Sequence, residues 1–174
     1  MKQEEQVVLV DISDRVQGVA SKIYVHTDAL LHRAFSVMIY NYKGELLLQK
    51  RADCKYHSAG LWTNSCCGHP KEDETPEKAA RRRLYEELGF TCDLQKTTEL
   101  SYFLSLNDNM YENEYTHIFS GIYEGTIIPN DNEVSDINWI KPDLLLRKVS
   151  DNPQLYSRWL RLYLEEYYNK IFVN

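Results

Sequence analysis

At 174 residues, with 43% hydrophobic and 26% charged side chains, the chain is long enough to bury one core and too apolar to be disordered throughout. Twenty Lys and Arg against 26 Asp and Glu leave a formal charge of −6, which argues against the basic surface that nucleic acid or an anionic membrane requires. There is no membrane-length apolar run and no secretory cleavage signal, and four Cys, two adjacent, make a poor disulfide framework, so the expected home is a reducing cytoplasm.

Gln6–Asp11 predicts a first strand. Ala34–Tyr40 and Glu45–Lys50 flank Asn41-Tyr42-Lys43-Gly44 and predict a hairpin. Leu61–Cys67 predicts another strand, ended by Gly68. Thr75–Leu88 carries the clearest helix signal: Thr75 caps it, Pro76 suits its first turn, Glu77 favours its positive end and Gly89 stops it. Ala80, Leu84 and Leu88 recur every four residues and mark its buried face. Leu100–Leu106 and Tyr115–Tyr123 predict strands around the polar turn Asn107-Asp108-Asn109, and Ile137–Ile140 predicts a short one. Asp143–Val149 and Pro153–Asn169 predict helices, the last amphipathic through Leu155, Trp159, Leu162 and Tyr163. With no repeat and no linker, the pattern predicts one domain over residues 1–174, of α/β (α+β) class, with a mixed sheet flanked by helices.

The segment GHPKEDETPEKAARRRLYEELGF, Gly68–Phe90, resembles the Nudix box. Gly68, Glu74, Arg82, Leu84, Glu86, Glu87, Gly89 and Phe90 fall in register with it. Oxygen ligands on such a loop–helix–loop suit Mg²⁺, which bridges protein carboxylates and substrate phosphates. A merely exposed, salt-bridged helix would not require Gly68, Glu74 and Gly89 at these offsets. Arg83 stands where Nudix hydrolases carry a helix Glu. A cation there weakens the case for hydrolysis and supplies a positive group for a diphosphate.

A second constellation comprises His26, His32, Cys67-Gly68-His69 and Glu112-Asn113-Glu114. On extended chain Cys67 and His69 share one face, as do Glu112 and Glu114. Three imidazoles and two carboxylates suit Mg²⁺, Mn²⁺ or Zn²⁺. His57 and His117 read as ordinary surface or core residues. Cys66 faces away from Cys67 and reads as a small buried residue, as do Cys54 and Cys92.

The stretches HTDALLHRAFS, LLLQKRADCK, LWTNSCCGHP, RRRLYEELG and YENEY together resemble the type I isopentenyl diphosphate isomerases, a family within the Nudix superfamily. The likeness runs from about Lys22 to Trp159 and implies a Nudix-like fold. It implies that Cys67 is the catalytic cysteine, Glu114 the catalytic glutamate and Tyr102 a tyrosine near the reacting carbon. It implies a metal site of His26, His32, His69, Glu112 and Glu114, and a Glu87 that holds Mg²⁺ against the substrate. Lys22, Arg51, Lys55 and Arg83 match the groups that receive the diphosphate. Trp159 reads equally as an aromatic over the cationic carbon and as a core residue of the last helix. Five residues separate His26 from His32 where the family has six, so the intervening loop is expected to be shorter.

The implied reaction shifts a double bond in a C5 alkenyl diphosphate through a carbocation-like intermediate. The metal side would deliver a proton through Glu114 or Tyr102, and a Cys67 thiolate would collect one. The implied partner is that small molecule alone, without nucleic acid or membrane, in a monomer or small homo-oligomer. Two rivals stand beside this reading. A Nudix pyrophosphohydrolase explains Glu74, Glu86 and Glu87 but leaves Cys67, His69, Glu112 and Glu114 without a task. A ligand-sensing module would bind metal or diphosphate without turnover.

Overall fold

Strand β3 (His32–Tyr40) is the axis of the sheet in this computed structural model, which describes residues 5–106 and 109–172. Its residues are buried almost throughout, as a central strand with both faces covered must be. On one side it pairs in parallel with β8 (Tyr111–Ile122), from His32 opposite Glu114 to Tyr40 opposite Ile122. On the other it meets three antiparallel neighbours in turn: β1 (Gln6–Val10), β6 (Cys66–Gly68) and β4 (Leu46–Arg51). Strands β2 (Val16–Ser21), β5 (Trp62–Thr63), β7 (Gln95–Ser105) and β9 (Val134–Ile140) complete a nine-stranded mixed sheet among the described residues.

The two faces of β3 build two cores. Phe35, Val37 and Ile39 pack with Ala79, Ala80, Leu84 and Leu88 of helix α2 (Pro76–Leu88). Met38 packs on the opposite face with Leu145 of α3 (Pro142–Asp151) and with Trp159, Leu160 and Tyr163 of α4 (Arg158–Glu166). Alternation at period two sends these side chains to opposite layers. Helix α2 has the expected ends: Thr75 Oγ1 accepts from Lys78 N, and Gly89 adopts φ 75°. A Cβ at Gly89 would lie 2.7 Å from the Ile128 carbonyl oxygen, so both backbone angle and space demand glycine.

Several elements differ from expectation. Strand β2 and the six-residue helix α1 (Lys22–Thr27) carry no usable pattern, because β2 is largely exposed and α1 is too short for periodicity. Leu61–Cys67 is two short strands. Ser65 causes the break: its Oγ accepts from Ile39 N at 2.8 Å and donates to Leu47 O at 2.7 Å, wedged between β3 and β4. The helix expected at Pro153–Asn169 is a 3₁₀ turn at Pro153–Leu155, then α4, then α5 (Tyr168–Ile171). Ser157 N bonds to Trp62 O, and its hydroxyl caps α4, so the helix begins only after that anchor. Leu155 is consequently exposed. Asn107 and Asp108 of the expected turn lie outside the described residues. No helix among the described residues is long and apolar enough to cross a membrane.

Candidate active site

Register lays out one end of the site. Tyr102 of β7, Glu114 of β8 and His32 of β3 are consecutive cross-strand partners in one row. Tyr102 donates its hydroxyl proton to Glu114 Oε2 at 2.5 Å. Tyr163 lies 3.3 Å behind Tyr102 and reaches Ser36 Oγ at 3.0 Å. Burial raises the Glu114 carboxyl above its usual range, although its bonds to Glu112 and Tyr102 favour the charged form.

Beside this row, His26, His32, His69 and Glu112 offer four ligand atoms within 4.8 Å of one another. His26 Nδ1 lies 2.6 Å from Lys22 O, and His32 Nδ1 lies 2.8 Å from Leu30 O. A carbonyl only accepts, so each Nδ1 carries a proton and leaves Nε2 as the atom that faces the cluster. Those nitrogens face further ligand atoms: His26 Nε2 is 3.3 Å from Glu112 Oε2, and His32 Nε2 is 3.2 Å from His69 Nε2 and 3.7 Å from Glu114 Oε1. His26 Nε2 and Glu112 Oε2 are buried without a hydrogen-bond partner. A cation would satisfy such a convergence of buried ligand atoms, and histidines whose Nδ1 is held by a backbone carbonyl are the usual support for one. The donor set therefore fits a divalent metal. Burial lowers His32 to about 3, which keeps its nitrogen available. The five-residue connection between the two histidines closes through Ala29 at φ 55°, and their rings lie 4.9 Å apart.

Cys67 lines the same cavity as Glu114 and Tyr102, whereas Cys66 is fully buried in the core against α2. Burial pushes the Cys67 thiol up to about 12, with Arg51 opposing the shift. Burial thus opposes the thiolate expected for the reaction, and Arg51 favours it. Trp159 is a core residue that also reaches the cavity. Its ring is 3% exposed and packs in the α4 core, yet it also lines the cavity, with Nε1 donating to Asn64 Oδ1 at 3.2 Å.

Lys22, Arg51, Lys55, Arg83 and the carboxylate of Glu87 all line the cavity. Arg51 donates to the carbonyls of Ser58 and His57 and lies 5.4 Å from the centre of the Trp159 ring. Arg83 reaches Glu87 at 2.5 Å, and Gln49 holds the other Glu87 oxygen at 2.8 Å. Arg82 instead bonds Glu74 through two 2.8 Å contacts and braces the loop before α2.

Residues 30–161 match the family model of the NUDIX domain. The chain is 48% identical over 158 residues to Isopentenyl-diphosphate Delta-isomerase 2 of Photorhabdus laumondii, covering 91% of this chain and 89% of that protein. It is 43% identical over 162 residues to the Isopentenyl-diphosphate Delta-isomerase of Burkholderia multivorans, covering 93% and 92%. The chain belongs to the isopentenyl-diphosphate Delta-isomerase family of NUDIX-domain proteins. Its fold is shared more widely: DR0079 from Deinococcus radiodurans superposes with a TM-score of 0.78 at 20% identity, over 92% of this chain and 97% of that one.

Three neighbours of these family residues escaped the sequence reading. His57, read there as ordinary, stacks on His26 at 5.7 Å with Nε2 3.6 Å from Glu112 Oε1. Glu133 bonds both Lys55 and Arg83. Tyr163, read only as part of an apolar face, closes the hydroxyl chain behind Tyr102. Only the short step from Lys55 to His57 hinted at the first, and no local spacing pointed to the others. His117 is indeed elsewhere, paired with Asp14 at 3.0 Å.

Proposed function

We propose that this chain interconverts isopentenyl diphosphate and dimethylallyl diphosphate. One observation carries the reading: Cys67, the hydrogen-bonded Tyr102–Glu114 pair and the four cations Lys22, Arg51, Lys55 and Arg83 line one cavity. That arrangement suits a short substrate with a neutral, alkene-bearing head and a highly charged tail.

The chain's residues divide the work. Lys22, Arg51, Lys55 and Arg83 hold the diphosphate, and Glu87 would carry the Mg²⁺ that accompanies it. Glu114, through Tyr102, gives a proton to the terminal carbon, whose π pair forms the new C–H bond and leaves a tertiary cation. Cys67 sulfur, as thiolate, takes a proton from C2, and that C–H pair becomes the new double bond. Arg51 is the group that favours the thiolate against burial. The Trp159 face stabilises the cation by up to about 2 kcal/mol in a dry pocket. The buried walls keep water from trapping it. A divalent ion (Mn²⁺, Zn²⁺ or Mg²⁺) on His26, His32, His69, Glu112 and Glu114 would supply Lewis acidity beside the proton donor.

The hydrolase reading lacks support at Arg83, which places a guanidinium where a helix carboxylate would help activate water. We further propose a single domain, a cytoplasmic setting, and a monomer or small homo-oligomer that needs no nucleic-acid or membrane partner. Incubation with isopentenyl diphosphate and Mg²⁺ in deuterated water tests the function. Dimethylallyl product with deuterium in its methyl group is expected, and phosphate release without isomerisation would overturn the reading.

A further inference from the structure

Glu133 immediately precedes β9 on a pinned backbone: its amide donates to Asn130 O at 2.8 Å and its carbonyl accepts from Ala52 N at 3.0 Å. A single oxygen, Oε2, accepts from Lys55 Nζ at 2.5 Å and from Arg83 Nη2 at 3.2 Å. One carboxylate thus engages two of the four cations assigned to the diphosphate. Arg83 also meets Glu86 at 2.9 Å and Glu87 at 2.5 Å, and Lys22 meets Glu5 at 3.0 Å. Arg51 differs from the other three, since its hydrogen-bond acceptors are backbone carbonyls. The cavity encloses about 60 Å³. Small-molecule sites start near roughly 300 Å³, so side chains must move to admit a substrate.

We propose that Glu133 makes this site select a diphosphate that carries a divalent cation over a bare diphosphate. The inference rests on the reading that Lys55 and Arg83 receive the diphosphate. A bare diphosphate competes with Glu133 for both cations and brings several like charges up to it. At short range in a half-buried site that repulsion is strong. A diphosphate already holding a divalent cation has less net charge and sets a positive neighbour near the carboxylate. The Glu133 side chain is 23% exposed, against 61% for Glu5, so water screens Glu133 less.

The test is titration calorimetry with inorganic pyrophosphate, with and without Mg²⁺, on protein as purified and without chelator. Glu133→Gln should bind Mg²⁺-free pyrophosphate about tenfold more tightly than wild type, narrowing the preference for the Mg²⁺ form by a similar factor. Glu133→Ala should change affinity in the same direction, which separates charge from shape. Glu5→Gln should have a smaller effect. If both Glu133 variants bind Mg²⁺-free pyrophosphate no better than wild type, the proposal is overturned. If Arg83→Ala binds pyrophosphate as tightly as wild type, the underlying placement of the diphosphate is overturned instead.

Discussion

Tyr102 and Glu114 are directly opposed residues on β7 and β8, and the tyrosine hydroxyl donates to the glutamate at 2.5 Å. Opposed side chains on neighbouring strands start about 5 Å apart at Cβ, so the strand register itself holds this pair together. Replacing Tyr102 by Phe removes the bond and keeps the ring. The expected result is a fall in kcat of about 100-fold with little change in KM. Steady-state kinetics decide it, and an unaltered kcat would remove Tyr102 from the proton path.

Adjacent cysteines provide an internal control. Cys67→Ala should lower isomerisation by at least about 100-fold and leave pyrophosphate affinity within a factor of about two. Cys66→Ala should retain activity and lose a little stability, because its sulfur packs between β3 and α2. Equal activity in the two variants would contradict the division of faces.

Metal content is the next readout. His26 Nε2 and Glu112 Oε2 are buried and face each other without a hydrogen bond, so a bound cation should stabilise the folded chain. Prolonged chelation should lower Tm by several degrees, and added Mn²⁺ or Zn²⁺ should restore it. Glu114→Gln should lose both turnover and tightly held metal by elemental analysis. A variant that keeps both would refute its double role.

Acid stability should report on Glu74. Hydrogen bonds from Arg82 hold its carboxyl below the ordinary 4.5, against a smaller opposing effect of burial. A depressed native pKa stabilises the fold above the unfolded-state value, and that contribution fades as pH falls through the native one. Glu74→Gln should therefore lower Tm near pH 7 by a few degrees, and the difference should vanish toward pH 3. A deficit that persists in acid would point to packing rather than charge.

Local chemistry already fixed much of this protein. Thr75, Pro76 and Gly89 delimit α2 without help from the rest of the chain, because caps act on their own backbone. The run from Gly68 to Phe90, the TNSCCGHP segment and the E-N-E triplet carried the family likeness as linear spacing. Alternation along β6 was enough to send Cys66 and Cys67 to opposite sides.

Tertiary structure decided what lies near what. The parallel β3–β8 pairing, which sets His32 beside Glu114, joins segments about eighty residues apart, and no local pattern encodes that register. The same holds for His57 against His26 and for Glu133 between Lys55 and Arg83, contacts made by loops whose own residues carry no periodicity. Protonation was also beyond the linear text: the buried surroundings of Cys67, rather than its neighbours in sequence, push its thiol up while Arg51 opposes them, because desolvation depends on the whole fold.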